Sequence, residues 1–253
     1  MANKRVQAPF FAILVLLSFG LVHCSGGGTP PLPCQGATCG SSTSTFLYLT
    51  ALDDISAFSV GVSGVPTLLK SQAGPNQSIG IAANSSGKFL YISDFTNDLV
   101  HAFSIDPATG TLQEVSGSPF SAGPGQVPGD NGFAGIGGIA IDPNTKFLYV
   151  PRANSSDVAG FSINSTTGAL MPIIGSPFAA GDFPVQAIVD SSGKFLYVSN
   201  HNDSQGTISA YSIEPFSGAL TPVPGSPFPT QAGYPGPGAL TIAGGGKYLY
   251  VAM

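Results

Sequence analysis

The chain has 253 residues, 8 Lys and Arg against 13 Asp and Glu, a net charge of −5 and only 8% charged residues, far below the ~25% of an average domain, which argues against an ordinary charged helical enzyme. With 43% hydrophobic residues and 17 Phe it has the material for a sizeable core, which excludes disorder for most of its length. The acid excess leaves no basic footprint for nucleic acid.

Residues 1–23 carry Lys4 and Arg5, then an apolar run from Phe10 to Val22 broken only by Ser18 and Gly20. That is the layout of a secretory signal. A run of 13 residues reaches about 20 Å as a helix, short of the ~30 Å hydrocarbon core that an anchor has to cross. Leu21-Val22-His23-Cys24 resembles a bacterial lipobox, although His23 stands where that motif usually has a small residue. The resemblance implies acylation of Cys24 and an exported, lipid-anchored protein of the cell envelope or periplasm, with the lipid as its one membrane contact.

Acylation of Cys24 leaves Cys34 and Cys39 as a pair around Gln-Gly-Ala-Thr. An oxidising envelope favours a small disulfide there, whereas a metal site needs two further ligands that no nearby His, Asp or Glu supplies. The stretch 24–44, rich in Gly, Ser, Thr and Pro, reads as a flexible tether.

From residue 45 onward the chain repeats itself. Phe46-Leu-Tyr-Leu, Phe89-Leu-Tyr-Ile, Phe147-Leu-Tyr-Val, Phe195-Leu-Tyr-Val and Tyr248-Leu-Tyr-Val are one motif at steps of 43, 58, 48 and 53 residues, a mean of 50.5. Ile55-Ser-Ala-Phe-Ser-Val, Val100-His-Ala-Phe-Ser-Ile, Val158-Ala-Gly-Phe-Ser-Ile and Ile208-Ser-Ala-Tyr-Ser-Ile follow in phase. Thr109-Gly-Thr-Leu, Thr167-Gly-Ala-Leu and Ser217-Gly-Ala-Leu come next, then Gly-Ser-Pro-Phe at 117–120, 175–178 and 225–228, then an apolar run such as 139–141 or 187–189.

Each unit therefore holds four short β-rich runs parted by Gly, Pro, Asn, Asp and Ser, the grammar of strands and turns. In Ile208 to Ile213, Ile208, Ala210 and Ser212 share one face and Ser209, Tyr211 and Ile213 the other. Both faces are expected to be covered. Four-stranded sheets of about 40 to 50 residues packed face to face are the blades of a β-propeller, so the expected fold is all-β, with about four and a half repeats over residues 45–253. With Phe-Leu-Tyr as the second strand, the chain supplies 17 strands where four closed blades need 16. The expectation is a longer propeller whose first blade is completed from the C-terminal end.

Gly193-Lys-Phe-Leu-Tyr-Val-Ser-Asn, with Ile208-Ser-Ala-Tyr-Ser-Ile, Ser217-Gly-Ala-Leu-Thr-Pro-Val and Gly225-Ser-Pro-Phe, resembles the lactonase family of seven-bladed propellers, also described as 6-phosphogluconolactonase-like. The resemblance runs over residues 44–253 and implies the propeller fold and a sugar-lactone chemistry without a cofactor. The family's His-Pro-His, Gly-Pro-Arg-His and Asn-Glu-Leu motifs have Gly137-Gly-Ile-Ala-Ile-Asp-Pro, Asp182-Phe-Pro-Val-Gln-Ala and Asn200-His-Asn in their places, and only Asn200 matches.

No Gly-x-Ser-x-Gly elbow, His-Glu-x-x-His or phosphate loop occurs. Lys88, Lys146, Lys194 and Lys247 precede the repeated motif and mark a structural turn, and Asp54, Asp98, Asp157 and Asp203 recur in the turn after it. Hairpin chemistry explains those aspartates better than calcium, which needs 6 to 8 gathered oxygens. Arg152 is the one arginine outside the leader and stands five residues after Phe147, the offset of Asp94 from Phe89 and of Asn200 from Phe195. Equivalent blades would set these three side chains at one height, with His201 beside them.

Asp94, Arg152, Asn200 and His201 are thus the candidate binding face for a small polar or lactone-type ligand, or an envelope component. In the hydrolytic version Arg152 holds the substrate carbonyl and His201 activates water. His101 reads as a satisfied interblade histidine. Glu114 and Glu214, the only glutamates, sit at different repeat positions and form no acid and base pair. The Gly-rich stretch 121–138 accounts for the longest step and reads as a lid or a tolerated loop.

Overall fold

The computed structural model describes residues 13–20, 43–51, 53–75, 78–94, 96–123, 138–201, 206–230 and 238–252, all strands, bridges and turns. The first sheet is ordered β1 (Ile13–Gly20), β2 (Thr43–Ala51), β3 (Asp54–Val60), β4 (Pro66–Ala73). The second runs β5 (Ser78–Ala83), β6 (Phe89–Asp94), β7 (Leu99–Ile105), β8 (Leu112–Glu114), with β9 (Phe120–Ser121) on the near end of β7. The third repeats this as β10 (Ala140–Ile141), β11 (Phe147–Arg152), β12 (Asp157–Ile163), β13 (Leu170–Pro172) and β14 (Phe178–Ala179). The fourth does so as β15 (Pro184–Val189), β16 (Phe195–Asn200), β17 (Thr207–Ile213), β18 (Leu220–Pro222) and β19 (Phe228–Pro229), and β20 (Ala239–Ala243) pairs β21 (Tyr248–Ala252).

These antiparallel meanders are the expected blades, with two differences. Part of the N-terminal apolar run, β1, pairs with β2 over Ile13 to Gly20, in the inner place expected to be filled from the C-terminal end. The outer strand of each later blade is broken in two by Gly-Ser-Pro. Where the break removes a backbone partner, serine supplies one: Ser118, Ser176 and Ser226 Oγ accept from Ala102, Gly160 and Ala210 N–H at 3.0, 2.9 and 2.9 Å. An unmatched buried N–H costs about 1–3 kcal/mol, which is why serine recurs there.

The turn before the repeated motif is closed in the same spirit. Asn84, Asp142 and Asp190 Oδ1 accept from the N–H of Phe89, Phe147 and Phe195 at 3.0, 2.7 and 2.8 Å. The motif then alternates its faces, as the pleat requires. Phe and Tyr point to the following blade, Leu and Val or Ile to the preceding one. Phe46 and Tyr48 share a core with Leu90, Ile92, Phe103 and Ile105. Phe89 and Tyr91 do so with Leu148, Val150 and Phe161, and Phe147 and Tyr149 with Leu196, Val198 and Tyr211. The core is therefore a series of joints between blades, each large side chain contributing about 1.5–3 kcal/mol by burial.

Each joint is pinned at one further point. Tyr48, Tyr91 and Tyr149 donate their hydroxyls to the carbonyls of Gly110, Gly168 and Gly218 in the next blade at 2.7, 3.0 and 2.8 Å. Those glycines have φ of 70, 77 and 74°, and the Phe ring of the preceding blade lies where a Cβ would stand: 2.5 Å from it at Gly110 and Gly168, and against it at Gly218. The recurring Gly of Thr-Gly-Ala-Leu thus answers to both backbone and packing.

Candidate functional site

In each of the first four blades the second strand ends, the third begins and the fourth leaves at the same end of the sheet. Asp94, Arg152 and Asn200 are the last residues of β6, β11 and β16, opposite Leu99, Asp157 and Thr207. They hold equivalent places in three successive blades, and all three are buried. Each makes its hydrogen bonds inside its own blade.

Asp94 is engaged by its own turn. Its Oδ1 accepts from Thr96 N–H at 3.0 Å and Asn97 N–H at 3.1 Å, and its Oδ2 from Asn97 Nδ2 at 2.9 Å. Arg152 forms a two-pronged pair with Asp157: Nε donates to Oδ1 and Nη2 to Oδ2, both at 2.6 Å. The side chains are 5% and 15% exposed, so the pair is largely out of water and its charges cancel locally. The remaining nitrogen, Nη1, is buried without a hydrogen-bond partner among the described residues.

Asn200 is half engaged in the same way. Its Nδ2 donates to Thr207 Oγ1 at 3.0 Å and Ser209 Oγ at 2.9 Å, and its Oδ1 is buried without a partner among the described residues. The end of the preceding blade's outer strand lies over each of these groups. A Cβ on Gly123, which follows β9, would collide with Arg152 Nη1, and one on Gly181, which follows β14, would collide with Asn200 Nδ2. Repeat spacing alone did not reveal those two glycines, although both stand three residues after the Phe of Gly-Ser-Pro-Phe. His201 is half-buried, with its ring 6.4 Å from that of Phe183 and its N–H donating to the Phe183 carbonyl at 2.8 Å.

His101 differs from its expected place between blades. Its Nδ1 lies 3.2 Å from Glu114 Oε1 and its Nε2 3.8 Å from Asp94 Oδ2, and its ring stacks at 6.4 Å on Phe103. All of these partners belong to its own blade, because β6, β7 and β8 are successive strands of one sheet. The cross-strand pairs Ile92 with His101 and Phe103 with Glu114 set the three groups together, a register that repeat positions did not convey.

At the opposite end, where Lys146 and Lys194 begin the repeated motif, a cavity of about 430 Å³ lies between the third and fourth blades, lined by Asp142, Asn144 and Ser192 among others. It does not include Asp94, Arg152, Asn200 or His201. Cys24, Cys34, Cys39, Asp203 and residues 124–137 of the glycine-rich stretch lie outside the described residues.

Residues 49–176 and 117–236 match the model of the family described as lactonase, 7-bladed beta-propeller. The chain belongs to this lactonase family. A 6-phosphogluconolactonase of Formosa agariphila is 41% identical over 64 residues, 24% of this chain and 18% of that protein. A solved structure from Bacteroides uniformis superposes with a TM-score of 0.66 at 21% identity, over 85% of this chain and 62% of that one. The periplasmic gluconolactonase of Pseudomonas aeruginosa does so with a TM-score of 0.64 at 17% identity, over 81% and 60%. At those identities the likeness is one of fold, and the lactonase-family chain described here spans about three fifths of the length of these two structures.

Proposed function

We propose that this lactonase-family propeller is exported and binds a small, uncharged polyhydroxy ligand of the sugar or sugar-lactone class at the blade ends that carry Arg152 and Asn200. One observation carries the reading. A buried donor, Arg152 Nη1, and a buried acceptor, Asn200 Oδ1, stand unmatched among the described residues at equivalent positions of adjacent blades. Buried polar atoms are nearly always paired, so each such exception asks for a partner. A hydroxyl both accepts and donates, which suits one group of each kind. The Asp157 carboxylate already balances the guanidinium charge, which favours an uncharged ligand over a phosphorylated one.

Hydrolysis of a lactone is the second reading, favoured by His201 following Asn200 directly and by the names of the relatives. Arg152 Nη1 would polarise the carbonyl as negative charge grows on its oxygen, and His201 would take a proton from water. Signal cleavage before Cys24 and acylation there remain part of the proposal, and Cys24→Ala is expected to release the protein from the membrane fraction.

The test is calorimetric titration of the purified protein with a panel of sugar lactones and the matching open-chain acids, alongside a pH-stat assay of ring opening. Asn200→Ala is expected to weaken lactone binding at least tenfold. Equal binding by wild type, Asn200→Ala and Arg152→Lys, each verified as folded by its melting profile, would remove this end as the site. Ring opening at the buffer rate, with binding intact, would leave the binding reading alone.

A further inference from the structure

Four described residues other than glycine have a left-handed backbone: Asp98, Thr145, Ser156 and Phe183, with φ of 52, 56, 52 and 55°. The repeat accounts for the first three. Asp98 and Ser156 each stand just before a third strand, β7 and β12, and Thr145 holds the turn place of Gly87 and Gly193, which have φ of 71 and 69°. Phe183 stands at neither turn. It lies on the segment that enters β15, with Pro184 directly after it. A bulky side chain is strained in that region, and a proline narrows the conformations open to the residue before it. Such outliers persist where the surroundings over-determine them, and they gather at ligand clamps and active sites.

The contacts of this segment join the two blades that carry Arg152 and Asn200. On the third blade, Ala180 N–H donates to the Ser156 carbonyl at 2.9 Å and Ser156 Oγ to Asp182 Oδ1 at 3.3 Å, and Ser156 lies in the turn between Arg152 and Asp157. On the fourth, Gly181 lies against the Asn200 amide, Pro184 pairs with Asn200, and the Phe183 carbonyl accepts from His201 N–H at 2.8 Å. Phe183 is thus held between the ends of β11 and β16, just before a bulge in β15 between Pro184 and Gln186, a feature that re-aims side chains beside active sites. Its ring is half-buried, and the His201 ring meets it at a tilt of 57° with centroids 6.4 Å apart, an angled contact rather than a stack over its face.

We propose that Phe183 is the apolar floor of the ligand site and makes it selective for a closed sugar ring over the open chain. The inference rests on the reading of Arg152 and Asn200 as the polar contacts. A lactone ring carries hydroxyls around its rim and C–H bonds on its flat side. The electron-rich face of the Phe183 ring attracts those C–H hydrogens, while the rim hydroxyls meet the Arg152 Nη1 donor and the Asn200 Oδ1 acceptor. An aromatic wall joined to a few placed polar groups is how such pockets fix orientation. An open-chain sugar acid presents no flat C–H side, and its carboxylate meets a guanidinium already balanced by Asp157. The ring-opened form is therefore the weaker ligand.

The test is calorimetric titration of the purified protein with methyl glucoside, a closed ring that does not open, with gluconolactone and with gluconate. Wild type is expected to bind both closed rings about tenfold more tightly than gluconate. Phe183→Gly removes the ring and supplies the residue that takes positive φ most readily. It is expected to melt no lower than wild type, to bind methyl glucoside about tenfold more weakly and to leave gluconate binding within about twofold. Phe183→Asn, which also tolerates a left-handed backbone, is expected to behave alike, and Phe183→Tyr, which keeps the ring, to bind within about threefold of wild type. A lower melting temperature with unchanged binding in Phe183→Gly is the signature of a ring that only packs, and it overturns the proposal. Closed-ring affinity lost in Asn200→Ala but kept in Phe183→Gly overturns it and leaves the ligand reading in place. Affinity unchanged in both variants, or a wild type that binds none of the three compounds, removes the two together.

Discussion

The Tyr91 hydroxyl donates to the Gly168 carbonyl at 3.0 Å across the joint between the second and third blades, 77 residues apart in the chain. Replacing Tyr91 with Phe leaves the ring in its core and strands one buried acceptor. The expected loss is about 1 kcal/mol. Gly168→Ala is expected to cost more, because it adds a left-handed residue bearing a Cβ and overpacks the Phe89 ring by about 1–3 kcal/mol. Denaturant midpoints of the two variants check the order, and equal losses would mean that the ring contact carries no strain.

The joint tyrosines, with Tyr211, are expected to make stability depend on pH at the alkaline end. Burial raises Tyr48, Tyr91, Tyr149 and Tyr211 above the usual phenol value, Tyr211 to about 12. A group whose folded pKa exceeds its unfolded value contributes fully below the unfolded pKa, near 10, and loses that contribution as pH rises through the folded one. Stability is therefore expected to be flat with respect to these groups up to about pH 10 and to fall from there upward, Tyr211 losing its contribution first. Melting curves read beside the phenolate absorbance check this: ionisation of the buried rings should accompany unfolding rather than precede it.

The blades were legible in the sequence because their packing is periodic. Phe-Leu-Tyr, the Gly of Thr-Gly-Ala-Leu and Gly-Ser-Pro-Phe each recur at the repeat step, and each meets its counterpart across a joint or a strand break. The candidate site was legible only as a height. Asp94, Arg152 and Asn200 do share one strand position, but what each touches depends on residues that do not repeat. Asp157 captures Arg152, the turn at 96 and 97 captures Asp94, and Ser209 with Thr207 captures one half of Asn200. Turn aspartates look alike in sequence, and only the register opposite Arg152 makes Asp157 its partner.

That partnership is measurable. Arg152→Ala leaves the Asp157 carboxylate, 15% exposed, without its guanidinium, and breaking a buried pair in this way costs about 3–5 kcal/mol. Arg152→Met/Asp157→Leu removes both charges and fills the space with apolar atoms, so the double variant is expected to be more stable than Arg152→Ala. Urea unfolding of the single and double variants checks the sign. A double variant that is the less stable of the two would mean that the pair contributes beyond cancelling its own burial.

Gly181 offers the last test, because it links stability to the candidate site. A Cβ there collides with Asn200 Nδ2 and falls 2.7 Å from Thr207 Oγ1, and Asn200 is fully buried. Gly181→Ala is therefore expected to cost about 1–3 kcal/mol through overpacking and to pull the amide from its bonds with Thr207 and Ser209. Gly238 is the control: nothing lies within 4 Å of its would-be Cβ, so Gly238→Ala is expected to stay within about 0.5 kcal/mol of wild type. If Asn200 Oδ1 holds a ligand hydroxyl, Gly181→Ala also weakens sugar-lactone binding, while Gly238→Ala leaves it unchanged. Loss of stability with unaltered binding in Gly181→Ala would keep the packing argument and separate Asn200 from the ligand.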